Sequence, residues 1–98
     1  MTTISSQRYR NPAIVEEKRA ARDYIVSYVE VAVDSDTYRV IVDGHHSHAA
    51  ALADGVEPVW NKSMDLQREA DRLGAEAFLD AHHEGDDYYD VTTGYPVF

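Results

Sequence analysis

Three histidines and a serine stand in four consecutive positions of this chain, within the stretch VIVDGHHSHAAALADGV from Val40 to Val56. They follow Asp43 and Gly44, where an apolar strand-like run gives way to small residues typical of a closely packed helix. Side chains of these types could hold an anion, ligate a metal ion or act as catalytic groups. The elements around them decide which of these the chain can do.

The first interpretation is an anion pocket at the start of a helix. A strand that ends in Asp-Gly and continues into a helix exposes the free N–H groups of the first helical turn, which attract phosphate or carboxylate. Gly44 lets a ligand approach the backbone closely, and Ser47 can add a hydroxyl group. His45 or His46 can add ring N–H donors. The predicted ligand-binding residues are Asp43, Gly44, His45, His46, Ser47 and His48.

A metal site is the second interpretation, since Asp43 and the three histidines offer one oxygen and three nitrogen ligands within six residues. His45 and His48 are three residues apart and can share one side of a helix. However, the adjacent His45 and His46 diverge by roughly 100° if both are helical. Zinc sites usually draw ligands from two elements, and the pair His82-His83 would then have to supply the rest.

Nucleophilic catalysis through Ser47 is the third interpretation. The neighbouring histidines lie too near in sequence to act as its base within one helical turn without special geometry. The chain also lacks the Gly-x-Ser-x-Gly motif of a nucleophile elbow.

The composition predicts one small domain over residues 1–98. A chain of 98 residues with 44% hydrophobic residues can bury one core and has no room for two. Cysteine is absent, which excludes disulfides, thiol catalysis and thiolate metal sites, and fits a reducing cytoplasm. No apolar run reaches the roughly 18 residues of a membrane helix, and the N-terminal stretch lacks the apolar core of a signal peptide.

The charge of the chain is strongly acidic and uneven. The formal net charge of −9 disfavours direct binding to nucleic acid. Residues 65–90 carry nine acids against two arginines, whereas residues 8–22 carry five basic residues against two acids. The acidic region 65–90 is either a solvated surface, a binding face for a basic protein partner or a mimic of the DNA backbone.

The sequence pattern predicts an α+β fold with a small mixed sheet and packed helices. Residues 1–10 are expected to be loose or extended. Asn11 and Pro12 start a helix over about residues 12–22. Residues 24–43 are rich in β-branched and aromatic residues around an Asp-Ser-Asp turn and predict a β-hairpin.

The second half of the chain shows signals for a short helix, a strand, a long helical segment and a tail strand. A short helix lies between Gly44 and Gly55, and the VEPVW stretch forms a short strand that Pro58 places at an edge or an end. Residues 61–85 show the longest helical pattern, which Gly74 kinks or divides. A tail strand is expected around residues 88–91.

The stretch YRVIVDGHHSHAAALADGV resembles the signature of the ParB/sulfiredoxin-like superfamily. The similarity lies in a strand that runs into a Gly-His-type turn, a small-residue helix containing Ala49-Ala50, and an exit through Gly55-Val56. It covers about 20 residues, and the tail resembles that of small stand-alone bacterial or phage members. The resemblance implies a ParB-like fold in which Gly44, His45 and His46 lie on a turn that holds nucleotide phosphates.

The resemblance also implies a ligand and marks a departure. ParB proteins bind and hydrolyse CTP and sulfiredoxins bind ATP, so the implied cofactor is CTP or ATP with Mg²⁺. Ser47 stands where the family usually has an arginine, which supplies the positive charge that a triphosphate needs. Arg8, Arg10 or Arg39 would have to replace it. The chain also lacks the cysteine of sulfiredoxins and the DNA-binding helical domain of full ParB proteins.

Three functions follow from the sequence. The first is a ParB-like domain that binds a phosphate or nucleotide at Gly44–Ser47, by binding rather than catalysis. The second is an acidic phage or mobile-element protein that inhibits a host nucleic-acid machine through its acidic region. The third is a metal-dependent hydrolase that uses Asp43 and the histidines.

Overall fold

Residues 1–98 are all described by the computed structural model, in which four helices pack around one five-stranded mixed sheet. The strands are β1 (Thr2–Ser5), β2 (Ile25–Val33), β3 (Asp36–Asp43), β4 (Val59–Lys62) and β5 (Tyr89–Asp90). The helices are α1 (Pro12–Ala21), α2 (His45–Asp54), α3 (Met64–Leu73) and α4 (Ala75–Ala81). The predicted α+β class with a small mixed sheet is confirmed. None of the four helices has the length and apolar character that a membrane crossing needs.

The strands are ordered β4-β2-β3-β1-β5 across the sheet. β2 and β3 form the predicted antiparallel hairpin, with a register shift between Ser27 and Tyr28. β4 runs parallel to β2, and β1 runs parallel to β3 and antiparallel to β5. β4 is therefore an edge strand that begins directly after Pro58, as the proline predicted.

The N-terminal residues differ in part from the sequence prediction. Residues 1–10 are predicted to be loose or extended; residues 2–5 are extended, but as β1 they lie inside the sheet between β3 and β5, and Ile4 is fully buried. Thr2 pairs with Tyr38, so the pairing joins distant parts of the chain. A four-residue segment with a single large apolar side chain carries no local period that could reveal such a pairing.

One face of the sheet holds the main core. α3 and α4 cover this face, and Phe78 is fully buried against the valines of β2 and β3. The buried cluster comprises Ile4, Val29, Val31, Val40, Ala70, Phe78, Leu79 and Tyr88. The side-chain amide of Gln67 also binds the backbone of Glu30, at 2.7 Å to its N–H and 2.9 Å to its carbonyl, and so fastens α3 to β2.

The opposite face is covered in part by α2, with α1 packed upon it. Ala50 and Ala51 are fully buried, since small side chains let α2 approach β2 closely. Asp54 joins the two helices, because its carboxylate accepts hydrogen bonds at 2.7 Å from both Arg19 and the Tyr24 hydroxyl. The rest of this face stays open and forms the site described below.

The helix boundaries follow the predicted signals. The Asn11 side chain accepts a hydrogen bond from the N–H of Ala13 at 3.0 Å, with Pro12 at the first helical position. Gly74 has a φ of +88° and divides the long helical pattern into α3 and α4. The predicted helix after Gly44 and the predicted tail strand correspond to α2 and β5.

Candidate functional site

The turn between β3 and α2 is built around Gly44. Its φ of +84° lies in the left-handed region, and a Cβ at this position would meet the carbonyl oxygen of Ile25 at 2.6 Å. The side chain of Asp43 bends toward this turn, because its Oδ1 accepts a hydrogen bond from the N–H of Gly44 at 2.9 Å. The close approach of strand β2 therefore requires a glycine at this position.

His45 points into the protein. Its Nδ1 lies 3.1 Å from the Ser5 hydroxyl, and its Nε2 lies 3.4 Å from a Glu84 carboxylate oxygen without hydrogen-bond geometry. Burial, aided by the positive charge of Arg10, lowers the pKa of His45 to about 4. The ring is therefore neutral near neutral pH.

The Ser5–His45–Glu84 series has the residue types of a catalytic triad without its accessibility. Ser5 is 0% exposed, so no substrate could reach its hydroxyl. Its oxygen is already occupied by the N–H of Gln7, which donates to it at 3.1 Å. We assign this series to the packing of β1 against the start of α2.

His46 and Ser47 are also held by other parts of the chain. The Nε2 atom of His46 accepts a hydrogen bond from the backbone N–H of Asn11 at 3.2 Å, which links α2 to the start of α1. Ser47 is buried close to Asp23. The Lys18 ammonium group has the largest effect in lowering the pKa of Asp23, and the Ser47 hydroxyl adds to this lowering. The hydroxyl predicted to bind phosphate thus faces a carboxylate of the chain itself.

The side chains of the six residues predicted as one site therefore contact different parts of the chain. No group of three or more His, Cys, Asp or Glu side chains is arranged to hold a metal ion. None of the four cavities in the molecule is lined by any residue from Asp43 to Ser47. His48 is the exception, because its side chain lines a cavity on the open part of the α2 face.

This cavity has a volume of about 330 Å³. Its wall comprises Thr3, Arg39, His48, Leu52, Glu57, Pro58, Trp60, Val91 and Thr92. The residues come from three strands, from α2 and from the loops that follow α2 and β5. We call this the Arg39 cavity.

The guanidinium group of Arg39 defines the electrostatics of the cavity. It lies 4.0 Å above the centre of the Trp60 ring and 5.3 Å from that of Tyr28, so aromatic faces support the cation. Its Nε is buried and has no hydrogen-bond partner, and the side chain forms no ion pair. Glu30 is the cross-strand neighbour of Arg39, but its carboxylate lies toward Lys62 at 3.9 Å. Arg39 is thus a half-buried cation without an anion.

His48 and Glu57 complete the polar wall. The His48 ring lies 5.7 Å from the Trp60 ring, and burial together with the charges of Arg10 and Arg39 lowers the pKa of His48. Glu57 places a negative charge beside the cavity, but its carboxylate accepts a hydrogen bond from the indole N–H of Trp60 at 3.1 Å. The cavity therefore combines one unpaired cation, an imidazole and two threonine hydroxyl groups with one carboxylate.

Comparison of the chain with protein-family models, with curated proteins and with solved structures finds no match. The case for a site therefore depends on its chemistry alone. Sequence reasoning named Arg39 only as one of three arginines that could replace a missing one. The sequence did contain a signal for Arg39. Successive residues of a strand point to opposite faces, so Arg39 and its apolar neighbour Val40 must lie on different faces of β3.

Proposed function

We propose that the protein binds a small phosphate-bearing anion in the Arg39 cavity, as a binding domain without catalytic chemistry. The observation that carries this proposal is the unpaired, half-buried guanidinium of Arg39 on the wall of a cavity of about 330 Å³. A polar group taken from water without a partner costs free energy, and an arginine without an anion is poised to accept one. An incoming phosphate would supply the missing acceptor.

The size and shape of the cavity favour a small anion. Ligand pockets usually measure about 300–1,000 Å³, and this cavity lies at the lower end of that range. The Trp60 ring packs with Arg39, with His48 and, in a T-shaped arrangement, with Tyr28. Trp60 is therefore engaged within the protein, and we expect the phosphate to be recognised rather than a stacked base.

The proposed ligand is still a phosphate group, as the sequence predicts, but the proposed binding site is the Arg39 cavity. His48 belongs to both versions of the site, but Arg39 replaces the turn from Gly44 to Ser47 as the anion-binding group. Membership of the ParB/sulfiredoxin-like superfamily, and with it CTP or ATP as the ligand, remains a prediction. A nucleotide would place its phosphates in the cavity and leave its base at the rim.

A panel of ligands tests the proposal through the melting temperature of the protein. Inorganic phosphate, pyrophosphate, CTP and ATP are added separately, with and without Mg²⁺. We expect pyrophosphate or a nucleotide to raise the melting temperature, because a ligand that binds the folded state stabilises it. Phosphate without a base distinguishes a phosphate site from a nucleotide site. If no member of the panel shifts the melt at millimolar concentration, the proposal is wrong.

Two variants locate the bound anion. Arg39→Met removes the cation and keeps a side chain long enough to lie on Trp60, so we expect it to abolish the ligand-induced shift. His46→Gln changes the predicted turn and keeps a side-chain acceptor for the N–H of Asn11. We expect His46→Gln to keep the shift. The opposite pattern would place the anion at the turn and contradict the cavity.

A further inference from the structure

A second feature of the molecule lies on the other side of the sheet, where α4 meets the end of β2. A cavity of about 330 Å³ opens here, with a wall made largely of Val33, Leu79, Tyr88 and Phe98. A neighbouring cavity of about 470 Å³ shares Val33 and Glu76 with it and extends along the junction of α3 and α4. The two cavities adjoin at these shared residues, and we call them together the α4 groove.

The part of the α4 groove beside Leu79 and Phe98 is apolar and partly open to solvent. Phe98 is 51% exposed, although its ring contacts Tyr38 and Tyr88 edge-on at 5.2 and 6.3 Å. Leu73, at the end of α3, is 37% exposed at the far end of the groove. Exposed large apolar side chains that adjoin a cavity are a feature of surfaces that bind other molecules.

The charged residues of the α4 groove are all acidic. Asp34, Glu76 and Asp80 line it, and the residues lining the two cavities include neither lysine nor arginine. None of these three carboxylates forms an ion pair within the chain, in contrast to Asp23, Asp54 and Asp65, which pair with lysine or arginine side chains. His83 is the one basic side chain on the wall.

We propose that the α4 groove binds a basic amphipathic segment of another protein, with an apolar anchor over Phe98 and Leu79 and lysine or arginine at the acidic rim. Charge complementarity selects this occupant, because Glu76 and Asp80 beside the apolar part of the groove, with Asp34 further along it, attract cations and repel the phosphates of nucleic acid. The groove is separate from the Arg39 cavity, with which it shares no lining residue. The proposal therefore stands or falls independently of anion binding.

The groove also gives the acidic region of the sequence a narrower role. Of the nine acids between residues 65 and 90, Glu76 and Asp80 are the two that line these two cavities. Asp34 joins them from the β2–β3 turn, far away in the sequence. The partner would therefore lie along α4 and the end of β2 rather than contact the whole acidic region.

A short fluorescent peptide with leucines on one helical face and lysines on the other serves as the probe. Two matched peptides replace the lysines by glutamates or the leucines by serines. We expect the first peptide alone to raise the fluorescence anisotropy on mixing with the full chain. We also expect its backbone-amide NMR shift changes to centre on residues 32–34, 73–80 and 98. Binding by the serine peptide with equal affinity would reduce the interaction to charge alone and overturn the proposal.

Charge-reversal variants decide whether the groove itself is responsible. Asp80→Lys changes the rim, whereas Glu17→Lys makes the same change in net charge at an exposed, unpaired acid on α1. We expect Asp80→Lys to weaken peptide binding by about tenfold, the loss expected for a charge-assisted contact, and Glu17→Lys to change it far less. Circular dichroism confirms that both variants are folded. Equal losses in the two variants, an absence of peptide binding, or self-association of the chain that protects the same residues would each overturn the proposal.

Discussion

At the scale of single residues, the three clustered histidines of α2 mainly connect this helix to other parts of the fold. His45 contacts Ser5 of β1, His46 accepts a bond from Asn11, and His48 packs against Trp60. Each ring therefore leaves α2 in a different direction. A cluster of like residues in the sequence does not imply a cluster in space, because adjacent side chains on a helix diverge by roughly 100°.

Because the buried His45 ring is neutral, we expect the protein to lose stability in mild acid. The ordinary pKa of 6.5 in the unfolded chain falls to about 4 in the folded protein, so the unfolded state binds more protons between these values. The free energy of unfolding should therefore decrease as the pH falls from 6.5 to about 4. From the cost of each pKa unit, this loss is on the order of 3 kcal/mol.

Urea unfolding at a series of pH values measures this loss. His45→Gln should flatten the dependence in that window, even though the variant is less stable overall. His83→Gln, at an exposed histidine, is the matched control and should keep the wild-type slope. An unchanged slope in His45→Gln would show that another group is responsible.

Glu57 is the residue that we expect to limit the proposed anion binding in the Arg39 cavity. Its carboxylate lines the cavity and accepts the indole N–H of Trp60, a bond that a glutamine oxygen can also accept. Glu57→Gln should therefore keep the packing and strengthen pyrophosphate binding by roughly fivefold or less, the effect of about 1 kcal/mol of repulsion. Calorimetric titration measures the change, with Glu17→Gln as a control remote from the cavity. Weaker binding in Glu57→Gln would argue against an anion beside this residue.

At the scale of elements, the junction between β3 and α2 depends on the missing side chain of Gly44. Gly44→Ala would force a Cβ to within 2.6 Å of the Ile25 carbonyl and keep a positive φ, so β2 or α2 must shift. We expect a loss of about 2–4 kcal/mol, from left-handed strain and overpacking together. Thermal unfolding measures it as a fall of at least about 8 °C.

Gly55→Ala separates the cost of left-handed backbone strain from the cost of steric overlap. Gly55 ends α2 with a φ of +67°, and a Cβ there would meet nothing within 4 Å. This variant should lose only about 1 kcal/mol, the strain of one left-handed residue. Equal losses in the two variants would show that contact with β2 does not constrain Gly44.

The elements that the sequence predicted correctly are those with a local signal. The hairpin, the helix after Gly44 and the division at Gly74 each follow from turn residues, caps or periodicity within a short window. β1 was missed because its stability comes from parallel pairing with β3, and parallel pairing joins segments far apart in the chain. The Arg39 cavity was missed for the same reason, since Arg39, His48 and Trp60 meet only after β3, α2 and β4 have packed.

At the scale of the whole molecule, the Arg39 cavity and the α4 groove differ in charge. The Arg39 cavity holds an unpaired arginine together with Glu57, whereas the α4 groove is lined by carboxylates with neither lysine nor arginine. With a net charge of −9, long-range attraction favours cationic partners, so an anion must be held by local contacts with Arg39.

Pyrophosphate binding by Arg39→Met, measured by calorimetric titration against the unaltered chain, tests the central claim most directly. Arg72→Met is the matched control, since Arg72 is exposed and forms no ion pair. We predict at least about tenfold weaker binding in Arg39→Met and an unchanged affinity in Arg72→Met. We also expect the ligand-free melting temperature of Arg39→Met to be equal to or above that of the unaltered chain, because a half-buried charge without a partner is removed. Equal affinities in the two variants, or a destabilised Arg39→Met that still binds pyrophosphate, would show that Arg39 only packs against Trp60.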